Sequence, residues 1–384
     1  MSQSNEIHTA EPVLNPVRQE EAKKYARVRR RLSIIDLALG GILLLLLVFG
    51  GLSQKLTGLF TLSVVPAACL YLIILMVAYA VISAPLSYYR GFVLPHRYGL
   101  STQKLTGWLG DKAKAGALGL AFAAGVVAII YWFIIIFPVI WWLPAWGVVV
   151  LLSLILTNLA PVLIVPLFFK MEPLGDSDLK SRLEQLAKKA QVVVRGIYLI
   201  KLSSKVTAAN AALMGLGNTK RIVLGDTLME RYSPAEIEVI MAHELGHHIR
   251  NDIWRLFVTH SGAWLIGFYL ADFILKVSVV PLGFSGISDI AALPLLVLIL
   301  AIINLLILPL TNAYSRRLEV AADDYALRLT DNPGSFIGAM TRLTDQNLSE
   351  AQPSRWVELL IYDHPCYYKR VAHARAYAAY RGGM

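Results

Sequence analysis

The residues best suited to chemistry are His243, Glu244, Leu245, Gly246, His247 and His248. On a helix, positions i and i+4 share a face. His243 and His247 can therefore aim both imidazoles at one ion, with Glu244 beside them. This is the HExxH arrangement of zinc peptidases. Neutral imidazoles suit zinc, and a catalytic zinc site keeps one position open. Glu244 is placed to take a proton from a water attacking a carbonyl carbon and to deliver it to the leaving amine. His248 lies one step further round the helix. Arg250 and Ile253 stand where a metzincin-type third histidine would be, which excludes that class.

A third ligand is needed downstream. The carboxylates available are Asp252, Asp272, Asp289, Glu319, Asp323 and Asp324. Glu319 and Asp323 are i,i+4 neighbours in the helical run SRRLEVAADDYALRL. Glu319 could close the zinc site while Asp323 orients a ligand imidazole through a hydrogen bond. Ala321 and Ala322 would let this run pack closely on the HELGHH helix. The competing reading is an exposed acidic helix matched to Arg316 and Arg317, and spacing alone does not choose between the two.

The elements that must position these groups read as follows. Ser233, Pro234 and Glu236 form a helix-start signature. The helix runs over 234–250 and is expected to continue toward the next apolar segment. Leu179, Leu183 and Leu186 mark an amphipathic helix over 177–191. Strands are expected over 196–202, 208–214 and 220–225, the last two joined by the turn GLGN.

Around this soluble part the chain is too apolar for water. Over 384 residues, hydrophobic residues make up 56% and charged ones only 16%, against about 25% charge in a soluble domain. Six stretches approach the length of about 20 residues that spans a bilayer. They lie near 33–52, 63–84, 116–137, 146–168, 256–276 and 291–311. The organisation expected is a basic N-terminal arm (1–32), four spans with a loop at 85–115 (33–168), a zinc peptidase domain (169–255), two further spans (256–311) and a C-terminal part (312–384). The first span follows a polar arm and does not read as a cleavable signal. Cys69 and Cys366 make no disulfide framework.

The net charge of +10 sorts by loop. Lys and Arg gather in the arm, in 85–115, in 169–255 and after the last span, while 138–145 and 277–290 hold none. The positive-inside bias puts the N-terminus, the zinc site and the C-terminus in the cytoplasm. The charge needs no nucleic-acid partner, since no recognition motif accompanies it. Asp36, Asn158, His260 and Asp272 fall within spans. Ionisable groups within a span are functional candidates, the alternative being that Asp36 and Asp272 lie near span ends, where water reaches them. No internal repeat suggests a transporter built from inverted halves. A zinc-bound scaffold without catalysis would have no need of Glu244.

HELGHH with a later ExxxAD resembles the integral-membrane gluzincins of the type I CAAX prenyl endopeptidase family, whose relatives include HtpX-like bacterial quality-control proteases. Five further stretches carry the resemblance: HRYGLSTQ (96–103), PLFFKMEPL (166–174), SSKVTAANAALMGLG (203–217), KRIVLGDTL (220–228) and HPCYYKR (364–370). Phe169 stands where the family has asparagine, and Val206 where it has arginine. The likeness covers most of 85–375. It implies an α-helical integral membrane protein, with about six spans enclosing a water-filled chamber and a cytoplasmic α+β gluzincin zinc-protease domain. It implies one zinc per chain on His243, His247 and Glu319, with Glu244 as general base. His364 would hydrogen-bond the oxyanion, although a turn histidine fixed by Pro365 is the alternative. Arg370 would position this region, and Asn210 and Ala211 would lie on an edge strand that pairs with an extended substrate. The partners implied are membrane lipids and peptide or protein substrates, lipid-modified or membrane-inserted ones among them. The number of spans suggests a shorter bacterial-type member in an inner membrane. Quality-control degradation without prenyl specificity is the alternative activity.

Overall fold

The computed structural model describes residues 13–215 and 220–383. The GLGN turn, at 215–218, lies mostly outside the described residues. Among these residues six helices are long and apolar enough to cross a membrane: Pro16–Phe49, Val64–Arg97, Leu105–Ile136, Trp142–Phe168, Asp252–Ser278 and Ile290–Thr330. Each contains or overlaps one expected span, but most run well past it. The link at 85–115 shrinks to the few residues between Arg97 and Leu105, so Arg90, Lys112 and Lys114 sit on helices. Hydropathy marks only the lipid-embedded part of a helix; the backbone goes on hydrogen-bonding to itself beyond it.

The chain divides into two compact units. One comprises 27–168 and 254–311. It is built from the apolar helices, and large side chains such as Ile34, Val81, Leu306 and Leu310 are 65–72% exposed. Such a surface is stable only where lipid is the solvent. Trp141, Ala145, Ala271 and Leu275 pack inside it. The polar residues flagged within spans all find partners. Asp36 meets Arg90 Nη1 at 2.9 Å and accepts from the Tyr79 hydroxyl at 2.7 Å. Asp272 meets Lys276 Nζ at 2.8 Å. The Asn158 amide and the His260 ring contact carbonyls one turn back.

The other unit comprises 1–26, 169–253 and 312–384. At its centre is a four-stranded sheet of β1 (Met171–Pro173), β2 (Ile197–Ile200), β3 (Ala211–Met214) and β4 (Arg221–Gly225), in the order β1-β2-β4-β3. β2 and β4 are parallel, and the two outer strands run antiparallel to their neighbours. β1 escaped the sequence reading: three residues with a proline carry no alternation. Ile222 and Leu224 of β4 are fully buried against the motif helix Pro234–Ile249 and the helices Asp178–Lys189 and Pro333–Gln346. Ser177 caps the second of these by accepting from Lys180 N–H. Ser233 and Glu236 close a reciprocal capping box on the motif helix, with Pro234 at its first position, satisfying two of its orphan amides.

The motif helix does not run on into the fifth span. Asn251 adopts the left-handed conformation (φ 56°), and a new helix begins at Asp252. An asparagine tolerates that conformation better than most residues, and the break turns Asp252 back toward the motif.

Candidate metallopeptidase site

Four segments build the site. The motif helix supplies His243, Glu244 and His247. The end of the long helix Ile290–Thr330 supplies Glu319 and Asp323. Asp252 opens the next helix, and the 363–370 segment supplies His364 and Arg370. Gly246 allows the first two to cross closely. A Cβ there would lie 3.1 Å from Tyr325 Cβ and 3.3 Å from Ala322 Cα. Ala322 is fully buried at this crossing, whereas Ala321 is only half-buried.

His243 Nε2 and His247 Nε2 face each other at 3.2 Å. Glu319 Oε2 is 3.3 Å from the first and Oε1 3.2 Å from the second. Each ring's far side is tied to a carboxylate: His243 Nδ1 to Asp323 at 2.9 Å, His247 Nδ1 to Asp252 at 3.0 Å. A carboxylate can only accept, so both Nδ1 atoms carry the hydrogen and both Nε2 lone pairs point into one space. Glu319 Oε2 is buried without a hydrogen-bond partner. Converging lone pairs and a buried carboxylate repel one another unless a cation lies between them. Two imidazoles and one carboxylate form the donor set of a catalytic zinc site, and the residues present fit the metal. Among the described residues this is the one group of three or more such side chains close enough to share an ion.

The protein supplies the alternative cation as well. Burial disfavours a charged His243, but Asp323 and Glu319 outweigh it and raise its pKa to about 9. Metal and proton therefore compete for the same space. Asp323 is in turn held by Arg370, through Nε at 2.8 Å and Nη2 at 2.5 Å. Glu244 is half-buried, and its carboxylate makes no hydrogen bond or ion pair within the described residues. His364 Nε2 lies 3.2 Å from Glu319 Oε1, and its Nδ1 2.8 Å from Asp363. The bond to Asp363 favours its charged form against burial, and Glu319 adds to it. His248 is half-buried, and burial with the charge of Lys220 lowers its pKa.

The other carboxylates considered as third ligands have partners of their own. Asp252 and Asp323 hold the rings from behind, and Asp324 pairs with His373. Asp289 caps Ala291 and accepts from Ser285, and Asp272 meets Lys276. Arg316, read from sequence as a charge partner for the acidic run, does something else. Its guanidinium donates to the carbonyls of Glu358 and Tyr362, at 3.0 and 2.5 Å. Asn312 donates to Leu360 O at 3.1 Å. Asn312, Arg316, Glu319 and Asp323 thus form one stripe, at intervals of four, three and four. It fixes the segment from Glu358 to Arg370 on both sides of His364. That spacing is visible in the sequence, but its target, the end of the short helix Arg355–Ile361 and the turn after it some 45 residues on, is not.

Asn210 and Ala211 lie at the sheet edge, Ala211 in β3 and Asn210 just before it. Asn210, His364 and Arg370 line one cavity of about 420 Å³.

These features have counterparts in known proteins. Residues 8–170 match the CAAX prenyl protease N-terminal family, described as five membrane helices, and residues 173–378 match peptidase family M48. Four long apolar helices fall in the first stretch among the described residues. The chain is 30% identical to the Bacillus subtilis metalloprotease YhfN, over 94% of this chain and 86% of that one. It is 28% identical to a CAAX prenyl protease 1 homolog of Caenorhabditis elegans, over 78% and 74% of the two. The crystal structure of S. mikatae Ste24p shares the fold, with a TM-score of 0.84 and 24% identity over 96% of this chain and 92% of that one. Six apolar helices, a sheet-backed HExxH helix and matches along nearly the whole chain agree: this multi-pass integral membrane protein belongs to peptidase family M48 and is a metallopeptidase of the CAAX prenyl protease type.

Proposed function

We propose that the chain holds one zinc ion between His243, His247 and Glu319 and cleaves peptide bonds with Glu244 as general base. The observation that carries this is the convergence of both Nε2 atoms and the Glu319 carboxylate, with each Nδ1 tied behind to Asp323 or Asp252. Zinc in such a site supplies Lewis acidity, which makes water nucleophilic near neutral pH and polarises a carbonyl. Glu244, which makes no hydrogen bond or ion pair among the described residues, accepts the proton of the attacking water and returns it to the departing amine. His364 donates a hydrogen bond to the oxyanion that forms. Asp323, clamped by Arg370, keeps the His243 ring in one tautomer and orientation. Ala211 offers backbone groups to an extended peptide, and Asn210 offers its exposed side-chain amide.

The substrates are peptides or proteins met at the membrane, with lipid-modified tails the first class to examine. The C. elegans relative's name supports that class. The clustering of Lys and Arg in the arm, the 85–115 link and the polar segments supports a cytoplasmic site in a bacterial inner membrane. The test is made on detergent-purified protein, by measuring zinc per chain and cleavage of matched farnesylated and unlipidated peptides. One zinc per wild-type chain, loss of zinc in Glu319→Ala and preference for the farnesylated peptide are expected. Full zinc occupancy in Glu319→Ala would send the third-ligand role elsewhere. Equal cleavage of both peptides would favour a protease without prenyl specificity.

A further inference from the structure

The hydrogen-bonding sense of β3 follows from one contact. Gly225 N–H donates to Asn210 C=O at 2.9 Å, in register with the pairs Ala211–Leu224 and Leu213–Ile222. In an antiparallel ladder, successive residues turn their N–H and C=O to alternate sides. Asn210, Ala212 and Met214 therefore face β4, while Ala209, Ala211 and Leu213 face outward. No strand lies beyond β3 among the described residues.

At Ala209 the outward side is already taken. Ala209 N–H donates to Asn347 Oδ1 at 2.9 Å, and Asn347 Nδ2 donates to Ala209 C=O at 3.1 Å. The side-chain amide makes the two bonds that one residue of an added strand would make. Its segment is anchored from both sides. Gln346 Nε2 donates to Thr207 C=O at 2.8 Å. The Asp345 carboxylate accepts from Asn15 N–H at 2.8 Å and from Gln19 Nε2 at 2.9 Å, and Ala351 N–H donates to Gln19 Oε1 at 3.1 Å. Asn347 also lines the cavity of about 420 Å³ shared by Asn210 and His364.

We propose that Asn347 ends the substrate-pairing edge and so limits how many residues extend past the cleaved bond at one end of the peptide. This rests on the reading of β3 as the substrate strand. An extended peptide pairs with Ala211 and Leu213, and the Asn347 amide occupies the place its next residue would take against Ala209.

The test uses full-length zinc-loaded protein and two peptide series around one cleavage site, lengthened residue by residue at the N- or the C-terminus. In wild type, kcat/KM falls in one series once the peptide outgrows the cavity. Asn347→Ala removes that fall and raises kcat/KM for the long members about tenfold, the worth of two hydrogen bonds at Ala209, leaving short members within about twofold. Cleavage of long peptides moves by two residues, the repeat of the edge, as read by mass spectrometry. Asn347→Asp keeps the acceptor for Ala209 N–H and gives an intermediate profile, should the alanine variant unfold. A wild-type rate independent of length in both series, or an unchanged profile in both variants, would overturn the proposal. Ala211→Pro separates this from failure of the strand reading. It deletes an outward N–H, which an edge strand tolerates, and should raise KM about tenfold. An unchanged KM there would mean that β3 does not bind substrate at all.

Discussion

Replacing Asp323 by alanine removes a carboxylate that serves two partners at once, and the structure allows the cost to be divided. Asp323 is 1% exposed and joins His243 Nδ1 at 2.9 Å to the Arg370 guanidinium at 2.8 and 2.5 Å. Losing one member of a buried ion pair costs about 3–5 kcal/mol, because the other charge stays buried and unpaired. Losing the acceptor behind a ligand imidazole lowers metal affinity about 10- to 100-fold. Asp252 is equally buried and holds His247 at 3.0 Å, with the partly exposed guanidinium of Arg250 3.7 Å away. Asp252→Ala should show a similar affinity loss. The assays are zinc affinity by competition with a chelator and thermal unfolding of the metal-free protein. A drop on the order of 10 °C for Asp323→Ala is expected. Zinc affinity within twofold of wild type in both variants would refute the view that these carboxylates orient the ligands.

Further outcomes follow from the same geometry. Gly246→Val should destabilise by about 1–3 kcal/mol, because its side chain would press on Tyr325 and Ala322 at the helix crossing; thermal unfolding reads this, and an unchanged midpoint would contradict it. Arg316→Ala should lower kcat with zinc content unchanged and add little in a His364→Ala background, since it acts by holding the turn that presents His364; additive losses would contradict that route. Zinc affinity should rise with pH up to about 9, with one proton released per zinc, because metal must displace the proton on His243. The sign for the metal-free fold is the reverse. A histidine whose folded pKa is raised to about 9 from 6.5 contributes its full stability below pH 6.5 and loses it as pH climbs through 9. Unfolding of chelator-treated protein across pH 6–10 measures this.

The catalytic helix was legible because its signals are local: a capping box, a fixed four-residue spacing and the apolar run around it. So were the six spans, though not their ends, since a helix outlasts its hydropathy. The partners of the motif were harder to read. Glu319 stood out by its spacing from Asp323 and by the family resemblance, but spacing alone left it open to being an exposed acidic residue; the helix crossing at Gly246 brings it against both rings. Asp252 was in view only as a rival ligand; its task depends on one left-handed residue, Asn251, that ends the helix and turns the chain back. Arg316 and Asn347 act on backbone carbonyls and amides far along the chain, and a backbone group carries no sequence signature. β1, three residues with a proline, has too little pattern to register at all.

The central claim is that Glu244 does the proton transfer at a zinc site held by other residues. The direct measurement is zinc content and peptide cleavage, side by side, for detergent-purified wild type and Glu244→Gln. The account predicts one zinc per chain in both proteins and cleavage reduced by at least about a hundredfold in the variant. Undiminished cleavage by Glu244→Gln with zinc in place would contradict it.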